Sequence, residues 1–251
     1  MSTRFLVLAL TACGRLGFGT VGDAPLSDDS PTDGVPVDGA GRALVAGMTT
    51  CQPSPTTLTL DRDAQAGDTL LVAFFMREPA TTTLPTISGG NVGWVSDAAF
   101  SSALSTNRRH LSLFRTAVVS LIVAGTQLAI THPGVESSGA VAFVVPATVT
   151  MPPQELPAVS EGGNNGMFSG TTGTTAATTL CGVVHHNNTS AQFGLEWTPL
   201  FDLPASCGEG ARQSAGLHLA LGPGGNTVDC NGMLGNSFTW ITVLVGYNGL
   251  R

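Results

Sequence analysis

Residues 215–221 read Ala215-Gly216-Leu217-His218-Leu219-Ala220-Leu221, and their alternation decides the fold class. Leu217, Leu219 and Leu221 recur at every second position, the spacing that lines one face of a β-strand. A helix would need apolar residues three and four apart. No window of about 11 residues offers that without Gly, Pro or β-branched interruptions.

Outward from this stretch, short runs rich in Val, Leu, Thr and Phe are separated by Gly, Pro, Asn and Ser clusters. Strands are expected at 42–48, 56–60, 69–77, 93–98, 110–116, 127–131 and 139–146. After a Pro/Gly/Asn-rich crossing they are expected again at 178–185, 192–200, 214–221, 227–230 and 237–247.

The two groups read as copies of one unit. Thr69–Phe75 matches Thr178–Val184, Trp94 matches Trp197, Leu111–Phe114 matches Leu217–Ala220, and Ser138–Val144 matches Ser237–Val243. A five-strand unit of this size is small for a sandwich of its own. The expectation is therefore an all-β fold, a jelly-roll-like antiparallel β-sandwich of about ten strands built from two pseudo-repeated halves. The halves fall at about 42–150 and 170–251 within a domain spanning 42–251.

Ahead of that domain, Leu10-Thr11-Ala12-Cys13 follows the short apolar run Phe5–Leu10, with Arg4 before it. This looks like a bacterial lipobox, which implies a signal peptide at 1–12 and lipid on Cys13. The competing readings are a first strand over 5–12 or a secretory leader cut elsewhere. The stretch Gly14–Gly41 holds Asp23, Asp28, Asp29, Asp33 and Asp38 among Pro, Gly and Ser. It cannot bury enough apolar surface to order itself, so 13–41 is expected to be an acidic disordered tether. The opening Cys-Gly-Arg-Leu-Gly-Phe with its Asp-rich run resembles surface lipoproteins of myxobacteria and their relatives. Gly14 after the cysteine implies outer-membrane sorting in such proteins, facing the periplasm or the surface.

Composition fits export. Charged residues make up only 11% of the chain, and all ten basic residues are Arg. Residues 42–251 carry eight Arg against twelve acids, a net of −4. That leaves no basic patch for phosphate neutralisation, so nucleic acid is not an expected partner. With Cys13 lipidated, Cys51, Cys181, Cys207 and Cys230 remain, an even number suited to two disulfides. Three connectivities are open; Cys207–Cys230 with Cys51–Cys181 is preferred because the first would staple one hairpin region.

Ala66-Gly67-Asp68-Thr69-Leu70-Leu71-Val72-Ala73, a Gly93-Trp94 strand entry, a strand ending at Arg115, and Ser138–Phe143 together resemble a widespread secreted bacterial β-sandwich family. The resemblance covers about Arg42–Tyr247. It implies architecture and a surface setting, sometimes beside carbohydrate-binding modules, and no catalytic residues.

The chemistry-bearing residues point the same way. His185-His186, with His218, Asp202 and Asp229 nearby in sequence, is the best metal lure, but adjacent strand residues face opposite ways. Asp61, Asp63 and Asp68 offer oxygen ligands for calcium, against a plain turn. No metal site and no cofactor is expected. Trp94, Trp197 and Trp240 read as core plugs rather than sugar platforms. Arg108-Arg109-His110 reads as a solvated turn that would contact an acidic glycan if it bound anything. Glu78, Asp97, Glu136, Glu196 and Asp202 are scattered, and Tyr247 is the only tyrosine. The expected function is non-catalytic display of a β-sandwich that binds extracellular glycan or protein, or builds the envelope, with the membrane engaged through lipid on Cys13. The alternative is a jelly-roll enzyme acting on extracellular polysaccharide, which needs converging carboxylates.

Overall fold

The run Thr69–Met76 is apolar on both faces: Leu71, Ala73 and Phe75 enter one core, while Leu70, Val72, Phe74 and Met76 enter another. A strand of this kind must have a layer on each side. The computed structural model describes residues 43–51, 54–79, 83–102, 107–133, 137–147, 157–163, 166–185, 191–205, 215–234, 239–248 and 250. The expected leader, Cys13, the tether, His186 and Cys207 lie outside the described residues. No described helix is long and apolar enough to cross a membrane.

The first half contributes β1 (Leu44–Thr50), β2 (Thr56–Thr59), β3 (Thr69–Pro79), β4 (Thr86–Gly89), β5 (Val95–Ser101), β6 (Asn107–Ala117), β7 (Gln127–Thr131) and β8 (Ser137–Val145). The second contributes β9 (Ala158–Gly163), β10 (Met167–His185), β11 (Gln192–Phe193), β12 (Thr198–Ala205), β13 (Ala215–Met233) and β14 (Thr239–Tyr247). The expected β13 strand continues unbroken into the expected 227–230 strand. β4, β9 and the first part of β10 go beyond the expected set.

All pairings are antiparallel. The first half forms a sheet of order β1-β8-β3-β6-β5 and a small sheet β2-β7-β4. In the second half β9, β14, β10, β13 and β12 pair in that order, the same arrangement as the first large sheet. Even a bulge recurs: the register slips between Ser96 and Ala98 in β5 and between Pro199 and Phe201 in β12.

The second small sheet is hidden in two strands of 19 residues each. Cys181 lies opposite Ala220, and Cys230 lies opposite Gly170, eleven positions away along β10. In a straight strand that interval would span roughly 36 Å. Yet Cys181 and Cys230 form a disulfide, with their Cα atoms 6.4 Å apart. The β10–β13 ribbon therefore folds back on itself at the register shifts around Thr172–Thr178. Its outer part, joined by β11, covers the large sheet as β2-β7-β4 covers the first.

This bridge corrects the preferred pairing of Cys207 with Cys230 and Cys51 with Cys181. The staple joins a large sheet to its own cover, an arrangement created by the fold-back and absent from a plain hairpin. Cys51 is also disulfide-bonded.

The two large sheets face each other across the central core, which draws Phe75, Leu111 and Phe143 together with Leu217, Val243 and Tyr247. The ten-strand sandwich of two repeated halves is thus present, with an outer layer on each side that the sequence reading did not include. Strands do not alternate between the two large sheets. Winding occurs within each half, where β1 pairs β8, β2 pairs β7 and β3 pairs β6. Register also corrects one repeat match. Leu71 pairs Phe143 and Leu180 pairs Val245, which sets Ser138 against Trp240 rather than Ser237. An offset wrong by three would turn every β14 side chain to the other face.

Candidate functional site

The central core is closed at its two ends by polar groups of opposite character. At one end the β5 bulge places Asp97 beside β6. Arg115 Nε donates to Asp97 Oδ1 at 2.7 Å, and the Tyr247 hydroxyl donates to Oδ2 at 3.1 Å. Burial raises the Asp97 carboxyl above its ordinary value, while Arg115 and Tyr247 pull it back down. Burial and then the Asp97 charge push the Tyr247 phenol well up. Register assigns Leu200, Leu221 and Val145 to the corresponding positions of the other half, so the trio belongs to one half-interface only.

The other end is a row across β8, β3 and β6. Arg77 lies opposite both Ser137 and Arg109. The three share the parity of Phe75, Leu111 and Gly139, whose face turns to the central core. Arg77 is 4% exposed, Arg109 3% and Ser137 0%. Burial, followed by repulsion from Arg77, lowers the Arg109 guanidinium to about 10. This overturns the solvated turn expected for Arg108-Arg109-His110, because β6 begins at Asn107 and carries Arg109 and His110 into the interior. The His110 ring shares hydrogen bonds with Ser101 Oγ (2.7 Å) and Ser112 Oγ (2.6 Å), and burial lowers it to about 4.

The outer face of the second large sheet gathers a third cluster. His185 on β10 and His218 on β13 stack with centroids 4.6 Å apart, Nε2 against Nε2. Bare Gly216 makes room for them: a Cβ there would lie 2.6 and 2.7 Å from the two nitrogens. His218 Nδ1 sits 2.7 Å from Asp202 Oδ1, and burial lowers its ring to about 4. The fold thus brings His185, His218 and Asp202 together, as strand alternation alone did not suggest. Asp229 instead accepts from Thr171 Oγ1 at 2.6 Å. Among the described residues no group of three or more His, Cys, Asp or Glu is placed to hold a metal ion.

The candidate calcium ligands serve turns. Asp63 Oδ1 accepts from the Ala124 amide and Asp68 Oδ2 from the Gln65 amide, each at 2.8 Å, while Asp61 lies against Arg62. Of the scattered acids, Asp97 and Asp202 are engaged as described and Glu196 is exposed beside Trp197. Glu136 and the Glu78 side chain lie outside the described residues.

The matched tryptophans occupy the outer cores rather than the central one. Trp197 is buried, and its indole donates to the Asp229 carbonyl at 3.1 Å. Trp94 is half-buried and donates to the Gly89 carbonyl at 3.2 Å. Trp240 pairs with His185 across one ladder and with Gly162 across the other. Among the described residues its buried Nε1 has no hydrogen-bond partner. It lines a groove of about 550 Å³ with Met167, Phe168, Ser169, Asn231, Gly232 and Met233. Met167 and Met233 form a cross-strand pair, and both are more than half exposed.

No protein-family model, curated protein or solved structure matches this chain.

Proposed function

We propose that this chain is an exported, lipid-anchored surface module whose second half binds an extracellular glycan in the Trp240 groove. The observation carrying the reading is that groove. An indole whose N–H has no acceptor among the described residues lies among apolar side chains, with the Ser169 hydroxyl and Asn231 amide at its edge. Sugars offer C–H faces for an aromatic ring and hydroxyls for amides and hydroxyls, and the volume lies within the range of small-ligand sites. Asp97 supports binding over hydrolysis as far as it goes, because Arg115 and Tyr247 engage both of its oxygens.

A glycan array probed with the mature chain tests the site. Binding that is lost in Asn231→Ala and weakened in Ser169→Ala supports it; an array without hits, or hits unaffected by both changes, refutes it. The anchor is tested separately. Cys13→Ala should abolish fatty-acid labelling and membrane association, and an unlabelled wild-type chain refutes lipidation.

A further inference from the structure

We infer that the Trp240 groove takes neutral glycans and turns away uronic ones, and that Asp229 is the residue that sets this preference. The inference rests on glycan binding in that groove and names its substrate class. On the outward face of the folded-back ribbon, Met167, Ser169 and Thr171 of β10 stand opposite Met233, Asn231 and Asp229 of β13, and all six are exposed. Phe168 and Cys230, between them in sequence, turn inward to the outer core. Four of the six line the groove, and Thr171 with Asp229 continues the row about 7 Å further along the ribbon. Thr171 Oγ1 donates to Asp229 Oδ1 at 2.6 Å, and the Trp197 indole holds the Asp229 carbonyl at 3.1 Å. Among the described residues no other group bonds this carboxylate. Its second oxygen can therefore accept from a sugar hydroxyl, a charge-assisted bond stronger than a neutral one.

Charge decides the class. No charged side chain lines the groove itself. Residues 42–150 carry six Arg and six acids, a net of zero, whereas residues 151–251 carry two Arg and six acids, a net of −4. The whole negative balance of the domain thus lies in the half that holds the groove. Arg62, Arg77, Arg109 and Arg115, the Arg residues whose side chains are described, all belong to the other half. Burial of Arg109 also removes a residue that the sequence offered to an acidic glycan. A uronate carboxylate, ionised at neutral pH, would meet the Asp229 charge with no described guanidinium of this half to answer it.

The test is an array of matched oligosaccharides that share linkage and ring stereochemistry and differ only in the carboxylate at the sixth carbon. Mannan is set against mannuronan and cello-oligomers against glucuronan, each probed with the full mature chain. Wild type should bind a neutral member about tenfold more tightly than its uronic twin. Asp229→Asn keeps an acceptor for Thr171 and removes the charge. It should weaken neutral binding several-fold and bring the two members of a pair to about equal affinity. A salt series on wild type needs no variant: added salt should strengthen uronic binding and leave neutral binding unchanged. Uronic hits as strong as the neutral ones, and lost in Asn231→Ala, overturn the inference and leave the groove standing. Discrimination that persists in Asp229→Asn, or that does not respond to salt, overturns the role of Asp229. An array without hits removes the groove and this inference together.

Discussion

The Tyr247 hydroxyl reaches across the boundary between the two halves to donate to Asp97 Oδ2 at 3.1 Å. Tyr247 closes β14, Asp97 occupies the β5 bulge, and Arg115 completes the set from β6. The corresponding positions of the other half are Leu200, Leu221 and Val145, all packed in the central core. The same packing problem is therefore solved once with a polar trio and once with hydrocarbon.

Removing one member of the trio should cost more than replacing all three. Tyr247→Phe should lose about 1.5–3 kcal/mol, the usual effect of deleting a hydrogen bond to a charged group. Asp97→Ala strands Arg115, and the expected loss is about 3 kcal/mol, at the low end for a broken buried pair because Arg115 is 18% exposed. Asp97→Leu, Arg115→Leu and Tyr247→Val together copy the other half and should recover most of that loss. Denaturant unfolding of the four proteins decides it; a triple variant weaker than Asp97→Ala would contradict the equivalence.

Acid should destabilise the fold between about pH 6.5 and pH 4. Burial holds His110 and His218 near 4, below the ordinary value of 6.5, so the unfolded chain takes up protons in this window before the folded chain does. Stability from these groups is present above pH 6.5 and is lost as pH falls, by a few kcal/mol in total. Asp97 acts in reverse, since a carboxyl raised by burial favours the folded state as pH falls through the carboxylate range. The net slope down to pH 4 should follow the histidines. His110→Gln and His218→Gln should each flatten it, and an unchanged pH profile in both would rule out the cause.

The Cys181–Cys230 bridge closes a sequence separation of 49 and should contribute about 3–4 kcal/mol. Peptide mapping under non-reducing conditions should recover residues 181 and 230 in one cross-linked fragment. A fragment joining 207 to 230 would instead place the staple within the hairpin region and remove the main argument for the folded-back ribbon.

What the sequence revealed was local. Period-two alternation in Ala215–Leu221 and the doubly apolar run Thr69–Phe75 fix strands without reference to partners, and the recurrence of Trp94 and Trp197 ahead of β5 and β12 marks the repeat. The hidden parts depend on distant chain. Ala158–Gly163 carries no apolar run and is a strand because β14 pairs with it. The Gly- and Thr-rich first part of β10 reads as a crossing, and only its pairing with β13 makes it a cover. The match of β8 to β14 slips by three because connection lengths, invisible to pattern, set the register. Arg109 looks solvated because its neighbours in sequence are polar, and what buries it comes from other strands. For the same reason the convergence of His185, His218 and Asp202 follows from three separate strands and has no spacing signal.

The two matched tryptophans should respond unequally to truncation. Both precede the same edge strand of their sheet and both donate to a backbone carbonyl, Trp94 to Gly89 and Trp197 to Asp229. Trp197, however, is 4% exposed and packs with Phe193 and the Cys181–Cys230 core, and a Cβ on Gly222 would meet its ring at 2.7 Å. Trp94 is only partly buried against its outer core. Trp197→Ala should therefore cost about 3–5 kcal/mol, the range for a large aromatic removed from a packed interior, and Trp94→Ala about half as much. Gly222→Ala should reproduce part of the Trp197 loss by driving the ring from its seat, and should leave Trp94 fluorescence unchanged. Equal losses at the two tryptophans, or a neutral Trp197→Ala, would show that burial in the outer core does not set their roles.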